Sequence, residues 1–148
     1  LALLIQDNTG LDSTTDALKD YARANLLLFQ NRLDESLKIL NLMPFTYPKH
    51  SLKDEIYFTK AQVYLKQGEF EKAEKHFKDV VELFSYDILA DNALYALAQL
   101  YENQLDDKEK AAKAYEKLIL DYNSSVYVVE ARKKYQELKV YIKQESEL

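Results

Sequence analysis

Residues 57–77 read YFTKAQVYLKQGEFEKAEKHF, and the fold turns on whether this is one helix or two. Tyr57, Ala61 and Tyr64 stand at i, i+4, i+7, while Phe70, Ala73 and Phe77, continued by Val81 and Phe84, follow at i, i+3, i+7, i+11, i+14. These are separate apolar stripes, each with the 3.6-residue period of an amphipathic helix. Gly68, one of only two glycines, lies between them, where a residue with positive φ ends the first helix and lets the chain reverse. The spacing predicts two short helices joined by a tight turn at Gly68.

The same unit recurs along the chain. Ala24, Ala61 and Ala98 are spaced by 37 and 37, and Leu27, Tyr64 and Tyr101 keep that step. Leu33 pairs with Phe70, Ser36 with Ala73 and Leu40 with Phe77 at the same interval. The third copy slips to 38 from Ala73 to Ala111 and from Phe77 to Tyr115, which puts a one-residue insertion in NQLDDKEK. Asn31 stands where Gly68 does and is the usual second choice for a left-handed turn residue. In the third copy Asp106 with Glu109 is the candidate cap of the restarting helix.

The repeat orders the rest of the chain. Asp12, Ser13 or Thr14 is the candidate N-cap of the first copy, and Ser51, with Asp54 and Glu55 behind it, that of the second. MPFTYPKHS, with Pro44 and Pro48, reads as the irregular linker. After Tyr122 the pattern restarts, with Ala131 a step of 38 beyond Ala93, and runs on as one helix with a polar outer face, the form that the end of a solenoid requires. The expected organisation is all-α: one domain over 1–148, with the end of a preceding repeat at 1–10, repeats at 14–42, 51–85 and 87–122, and a capping helix at 125–145. The lack of an initial Met and the short apolar run at the start lead us to expect a piece of a longer chain, with Leu1, Leu3, Leu4 and Ile5 as an apolar end open to self-association or stacking.

Composition narrows the function classes. With 47% hydrophobic and 30% charged residues and only two prolines, the chain reads as a globular helical protein rather than a disordered or many-stranded one. A net charge of -5 argues against a nucleic-acid partner, and the five-residue apolar run is too short to insert in a membrane. The one basic run, ARKKYQELKVYIK, places Arg132, Lys139 and Lys143 on one face and reads as a solvated surface. There is no cysteine, no phosphate loop and no hydrolase motif, and His50 and His76 read as ordinary surface histidines, so no catalytic residue, metal site or cofactor is expected.

Tyr57, Ala61, Tyr64, Gly68, Phe70, Ala73 and Phe77, with Leu94, Leu97, Ala98, Tyr101, Ala111 and Tyr115 in the next copy, resemble the tetratricopeptide repeat. The resemblance implies an α-α superhelix of about three helix-turn-helix repeats plus the C-terminal capping helix. The endings VVELFSYD and LILDYNSS are similar to those of bacterial cell-envelope members of the Tol-Pal coordinator and outer-membrane assembly lipoprotein type, which points to the periplasm or cell envelope rather than the cytoplasm. In this family the first helix of each repeat lines a concave groove that holds a protein or peptide partner. Carried onto this chain, one place after the core positions, that implies three ladders of groove residues: Tyr21, Phe58 and Tyr95; Asn25, Gln62 and Gln99; Leu28, Leu65 and Glu102. Aromatic rungs suit side chains, and amide rungs suit a peptide backbone, because each amide both donates and accepts. Set against this is the plainer reading that the aromatics cover seams between helices. The expected function is a non-catalytic interaction scaffold, with a structural stacking module as the alternative.

Overall fold

The computed structural model describes residues 15–148; the expectations for 1–10, for the apolar stripe of Leu1, Leu3, Leu4 and Ile5, and for the caps at Asp12, Ser13 or Thr14 lie outside the described residues. Within them the chain forms α1 (Thr15–Phe29), α2 (Leu33–Thr46), α3 (Lys53–Gln67), α4 (Phe70–Leu83), α5 (Ala90–Asn103), α6 (Lys108–Asp121) and α7 (Val128–Ser146). Each helix packs on the next in sequence, and α1 also reaches α3. The architecture is an all-α helical solenoid closed by the longer helix α7.

The reversals inside each helix pair follow from backbone chemistry. Gly68 has φ +76°, its N–H donates to the Leu65 carbonyl at 3.2 Å, and the Glu69 N–H donates to the Tyr64 carbonyl at 2.9 Å. This pair of bonds satisfies two carbonyls that the end of α3 would otherwise leave open. Asn31 repeats it at φ +60°, with Asn31 N–H to the Leu28 carbonyl at 3.0 Å and Arg32 N–H to the Leu27 carbonyl at 2.8 Å. The third turn absorbs the inserted residue: Asp106 takes the left-handed place at φ +51°, and the Asp107 N–H reaches back to the Tyr101 carbonyl at 2.8 Å. The cap of α6 is therefore Asp107, whose carboxylate accepts from the Lys110 N–H at 3.0 Å, and not Asp106.

A Cβ added at Gly68 would meet nothing within 4 Å, so substitution there tests the backbone alone. Gly68→Ala is expected to cost about 1–2 kcal/mol, the strain of a left-handed residue with a Cβ. Gly68→Asn should cost less, since Asn31 already holds the equivalent conformation. Urea titration of both variants checks the order, and an alanine variant as stable as the parent would mean the turn had rearranged.

Two sequence expectations at the first linker are corrected. The second helix does not stop before MPFTYPKHS: α2 runs through Pro44 to Thr46. Proline there deletes one helical hydrogen bond near the C-terminus, while the fully buried Met43 holds the last turn and its carbonyl accepts from the Tyr47 N–H at 2.8 Å. At the start of α3 the N-cap is Leu52 rather than Ser51, and the Leu52 N–H donates to Nδ1 of His50 at 3.0 Å.

The small residues mark the closest helix crossings. Ala24, Ala61, Ala73, Ala98 and Ala111 are all 0% exposed, and so is Ser36, which stands where the later copies have alanine. The Ser36 hydroxyl donates to the Ala24 carbonyl at 2.8 Å, so the polar group that α2 buries is paired. Asp20, where the later copies have an aromatic or apolar residue, accepts from the Tyr47 hydroxyl at 2.8 Å. One core cluster runs from α3 to α7 around Phe77, Tyr115 and Leu118, and a second joins α1, α2 and α3 around Leu40, Met43 and Ile56. Helix α3 serves both, Ala61 in one and Ile56 and Val63 in the other, which is why it is buried on two sides and only weakly amphipathic in sequence.

Helix α7 buries Val128, Ala131 and Leu138 against this core. Ala131 repeats the position of Ala93, with matching N–H bonds of 2.9 Å to the carbonyls of Tyr127 and Leu89. Its outer face is less polar than the pattern suggests, because Val129, Val140 and Tyr141 are exposed among the charges.

Candidate functional site

The groove residues fall on α1, α3 and α5, and the structure opens them to different degrees. Tyr21 is 8% exposed and its hydroxyl lies 3.0 Å from Oγ1 of Thr59 on α3. Burial pushes its phenol above the usual tyrosine range. Leu28 is likewise buried, and its carbonyl accepts from Nζ of Lys66 at 3.4 Å. Asn25 is half-buried and spends one amide hydrogen on the Tyr21 carbonyl at 3.2 Å. Tyr21 and Leu28, expected to line the groove, are thus both buried, and each bonds to α3.

On α3 and α5 the aromatic rungs have a packing role as well as a surface. Phe58 is half-buried, its ring edge-on to Phe77 with centroids 5.8 Å apart. Tyr95 stacks on Tyr127 at 4.4 Å and 9°, and meets Tyr115 edge-on at 6.2 Å. The seam-covering reading accounts for these contacts. The amide rungs differ: Gln62 is half-buried and Gln99 exposed, and neither has a hydrogen-bond partner among the described residues. Leu65 between them and the next seam is half-buried.

Glu102 is held by its neighbours rather than presented. It accepts from the Tyr115 hydroxyl at 2.8 Å and from Nζ of Lys134 on α7 at 3.3 Å. Burial, followed by the bond to Glu102, drives the Tyr115 phenol far above its ordinary range. Tyr101 is raised in the same way, by burial first and then by its hydrogen bond to Glu74 at 2.8 Å. Both phenols stay protonated donors, and these pairs tie α5 to α4, α6 and α7.

Neither histidine is the ordinary surface residue expected from sequence. His50 is buried, its Nδ1 capping α3 as above. His76 is half-buried between the rings of Tyr57 and Tyr64, at 5.9 and 5.1 Å, and its Nδ1–H donates to the Lys72 carbonyl at 2.8 Å. Burial pushes its imidazole below the usual range against that hydrogen bond, with Lys60 adding to the depression. Among the described residues no three His, Asp or Glu side chains come together as a metal site, and no helix is long and apolar enough to cross a membrane.

The helix pairs, the alanine crossings and the left-handed turns together are a repeat architecture, and the family model of the tetratricopeptide repeat matches residues 54–119. A tetratricopeptide-type repeat lies within residues 54–119. The match begins one residue into α3 and ends two before the end of α6, so the tetratricopeptide match spans the two helix pairs whose motifs are clearest in sequence. No curated protein matches the chain, and the likeness to cell-envelope members stands on the two helix endings alone.

Sequence reasoning passed over Thr59, Tyr127 and Lys134, the residues that decide how open each rung is. A signal for one was present. Thr59 lies 38 residues from Tyr21, and the Lys66 to Leu28 and Tyr122 to Ser85 bonds span 38 and 37, so residues about one tetratricopeptide period apart meet across the seam.

Proposed function

We propose that this chain is a non-catalytic interaction scaffold that binds an extended peptide or protein segment along the concave groove formed by α3 and α5. The observation that carries this reading is the pair Gln62 and Gln99, two amides 37 residues apart with no partner among the described residues, each followed one helical turn back by an aromatic, Phe58 or Tyr95. An amide left open at the same place in successive repeats offers a donor and an acceptor at a regular interval, which suits a peptide backbone. The adjoining rings supply apolar contact at low entropy cost, since each has already lost most of its freedom to packing. Asn25 belongs to the same ladder but is half-engaged, so the groove is assigned to the second and third repeats.

The test is selection of binding peptides from a random library on the intact chain, followed by affinity measurements on a Gln62→Ala, Gln99→Ala double variant. The variant should keep its helical circular dichroism and melting temperature and lose about tenfold in affinity, the worth of one or two net hydrogen bonds. Selected peptides that bind the double variant as tightly as the parent would remove the groove assignment.

A further inference from the structure

The face of α3 opposite the ladder holds a second feature. Pro44 near the end of α2 and Pro48 in the turn after it, with Ile56 and Tyr57 on α3, wall a cavity of about 380 Å³ into which Lys53 and Lys60 also face. On a helix with 100° between residues, Lys53, Tyr57 and Lys60 share one stripe, roughly 150° round from Phe58, Gln62 and Leu65. The cavity is thus separate from the proposed peptide groove. Its size falls near the lower end of the 300–1,000 Å³ or so of small-molecule sites.

Lys60 is the informative residue. It stands where the neighbouring copy has the buried Leu97, is itself half-buried, and forms no ion pair among the described residues, in a chain with 25 carboxylates against 20 Lys and Arg. Burial pushes its ammonium below the usual lysine range, and the charge of Lys75 pushes the same way. The ammonium is partly withdrawn from water, with the Lys75 cation near it and no ion pair to a carboxylate among the described residues. A half-desolvated charge left uncompensated costs stability that a leucine or methionine would not. Apolar walls with one or two convergent polar groups are the usual makeup of a ligand cavity.

We propose that this cavity binds a small organic anion, a carboxylate carried on an apolar body, with Lys60 pairing to the carboxylate and the body lying against Pro44, Pro48 and the ring of Tyr57. The imidazole of His50, tied to the Leu52 N–H, fixes the start of α3 and with it the distance between the proline wall and the lysine.

The test is titration of the isotopically labelled chain by nuclear magnetic resonance, following the amides of Lys53, Ile56, Tyr57 and Lys60. Benzoate should give saturable shifts there, while benzamide, which lacks the charge, and inorganic phosphate, which lacks the apolar body, should each bind at least about tenfold more weakly. Lys60→Met should lose benzoate binding by a similar factor while melting no lower than the parent, because a thioether suits the half-buried position and removes the uncompensated charge. Lys113→Met, remote from the cavity, should bind as the parent does. N-acetylphenylalanine presents the same chemistry on a peptide-like unit: tighter binding than benzoate supports a site for a carboxylate borne on a protein segment, and equal or weaker binding supports a site for a free acid. Benzamide binding as well as benzoate, an undiminished Lys60→Met variant, or no saturable shift with either carboxylate would overturn the proposal.

Discussion

Replacing Phe77 by alanine is expected to destabilise the chain by about 3–5 kcal/mol, the cost of emptying a fully buried aromatic site. Phe77 is 1% exposed, belongs to the cluster that runs from α3 to α7, and meets Phe58 edge-on at 5.8 Å. Its equivalents, Leu40 one repeat earlier and Tyr115 one repeat later, are each 0% exposed, so the position is the centre of every pair's core. The alanine would leave an aromatic-sized void between α3, α4 and α5 that rigid helices close only in part. In a solenoid, stability is close to a sum of repeat and interface terms, so the loss should appear first in the middle pair. Hydrogen exchange should show α3 and α4 opening before α6 and α7, and urea titration should give the total. A loss below about 1 kcal/mol would mean that Phe77 does not fill the core as described.

The second large effect comes from adding volume. Ala61→Leu is expected to cost about 1–3 kcal/mol through overpacking. Ala61 is 0% exposed where α3 crosses its neighbours, and the equivalent crossing in the first pair shows how close such helices come: a serine hydroxyl on α2 reaches the Ala24 carbonyl on α1 at 2.8 Å. Three added carbons at such a crossing have to push the helices apart or force a strained rotamer. A chemical-denaturation curve with an unchanged midpoint would show that Ala61 lies off the crossing, and the 37-residue register would have to be redrawn. Phe77→Ala and Ala61→Leu probe one interface from opposite sides, void against excess, and their residues are near enough that their effects should not add.

The parts of the fold legible in sequence were those that a short stretch of backbone decides. Gly68 and Asn31 read as left-handed turn residues because few side chains tolerate that conformation, and both hold it. The third turn was located but misassigned by one residue: Asp106 and Asp107 are both good caps, and only the geometry of the inserted turn shows that the first takes the left-handed place. Pro44 was placed in the linker and is inside α2, where a proline near the helix end costs one hydrogen bond and the buried Met43 before it holds the last turn. Ser51 was a reasonable cap by residue type, yet the chain arrives at α3 with His50 turned inward instead.

The candidate site was less legible, and for one cause. A ladder at i+37 can be read from sequence, but each rung's exposure depends on side chains from the next helix pair. Tyr21 and Leu28 are buried and bonded to α3, and Glu102 is taken up by Tyr115 and Lys134, while Gln62 and Gln99 have no hydrogen-bond partner among the described residues.

The sequence by itself determined the period of 37, the two-helix unit, the small residues at each crossing and the turns that reverse the chain, because these rest on backbone conformation and on side-chain volume within one unit. Only the tertiary structure decided which polar groups find partners on that frame: among the described residues Gln62 and Gln99 have no hydrogen-bond partner on one side of α3 and α5, and Lys60 has no ion pair on the other side of α3. Pairing is settled by residues distant in sequence, as Thr59 is from Tyr21 and Lys134 from Glu102, brought to hydrogen-bond distance by packing that no local pattern encodes.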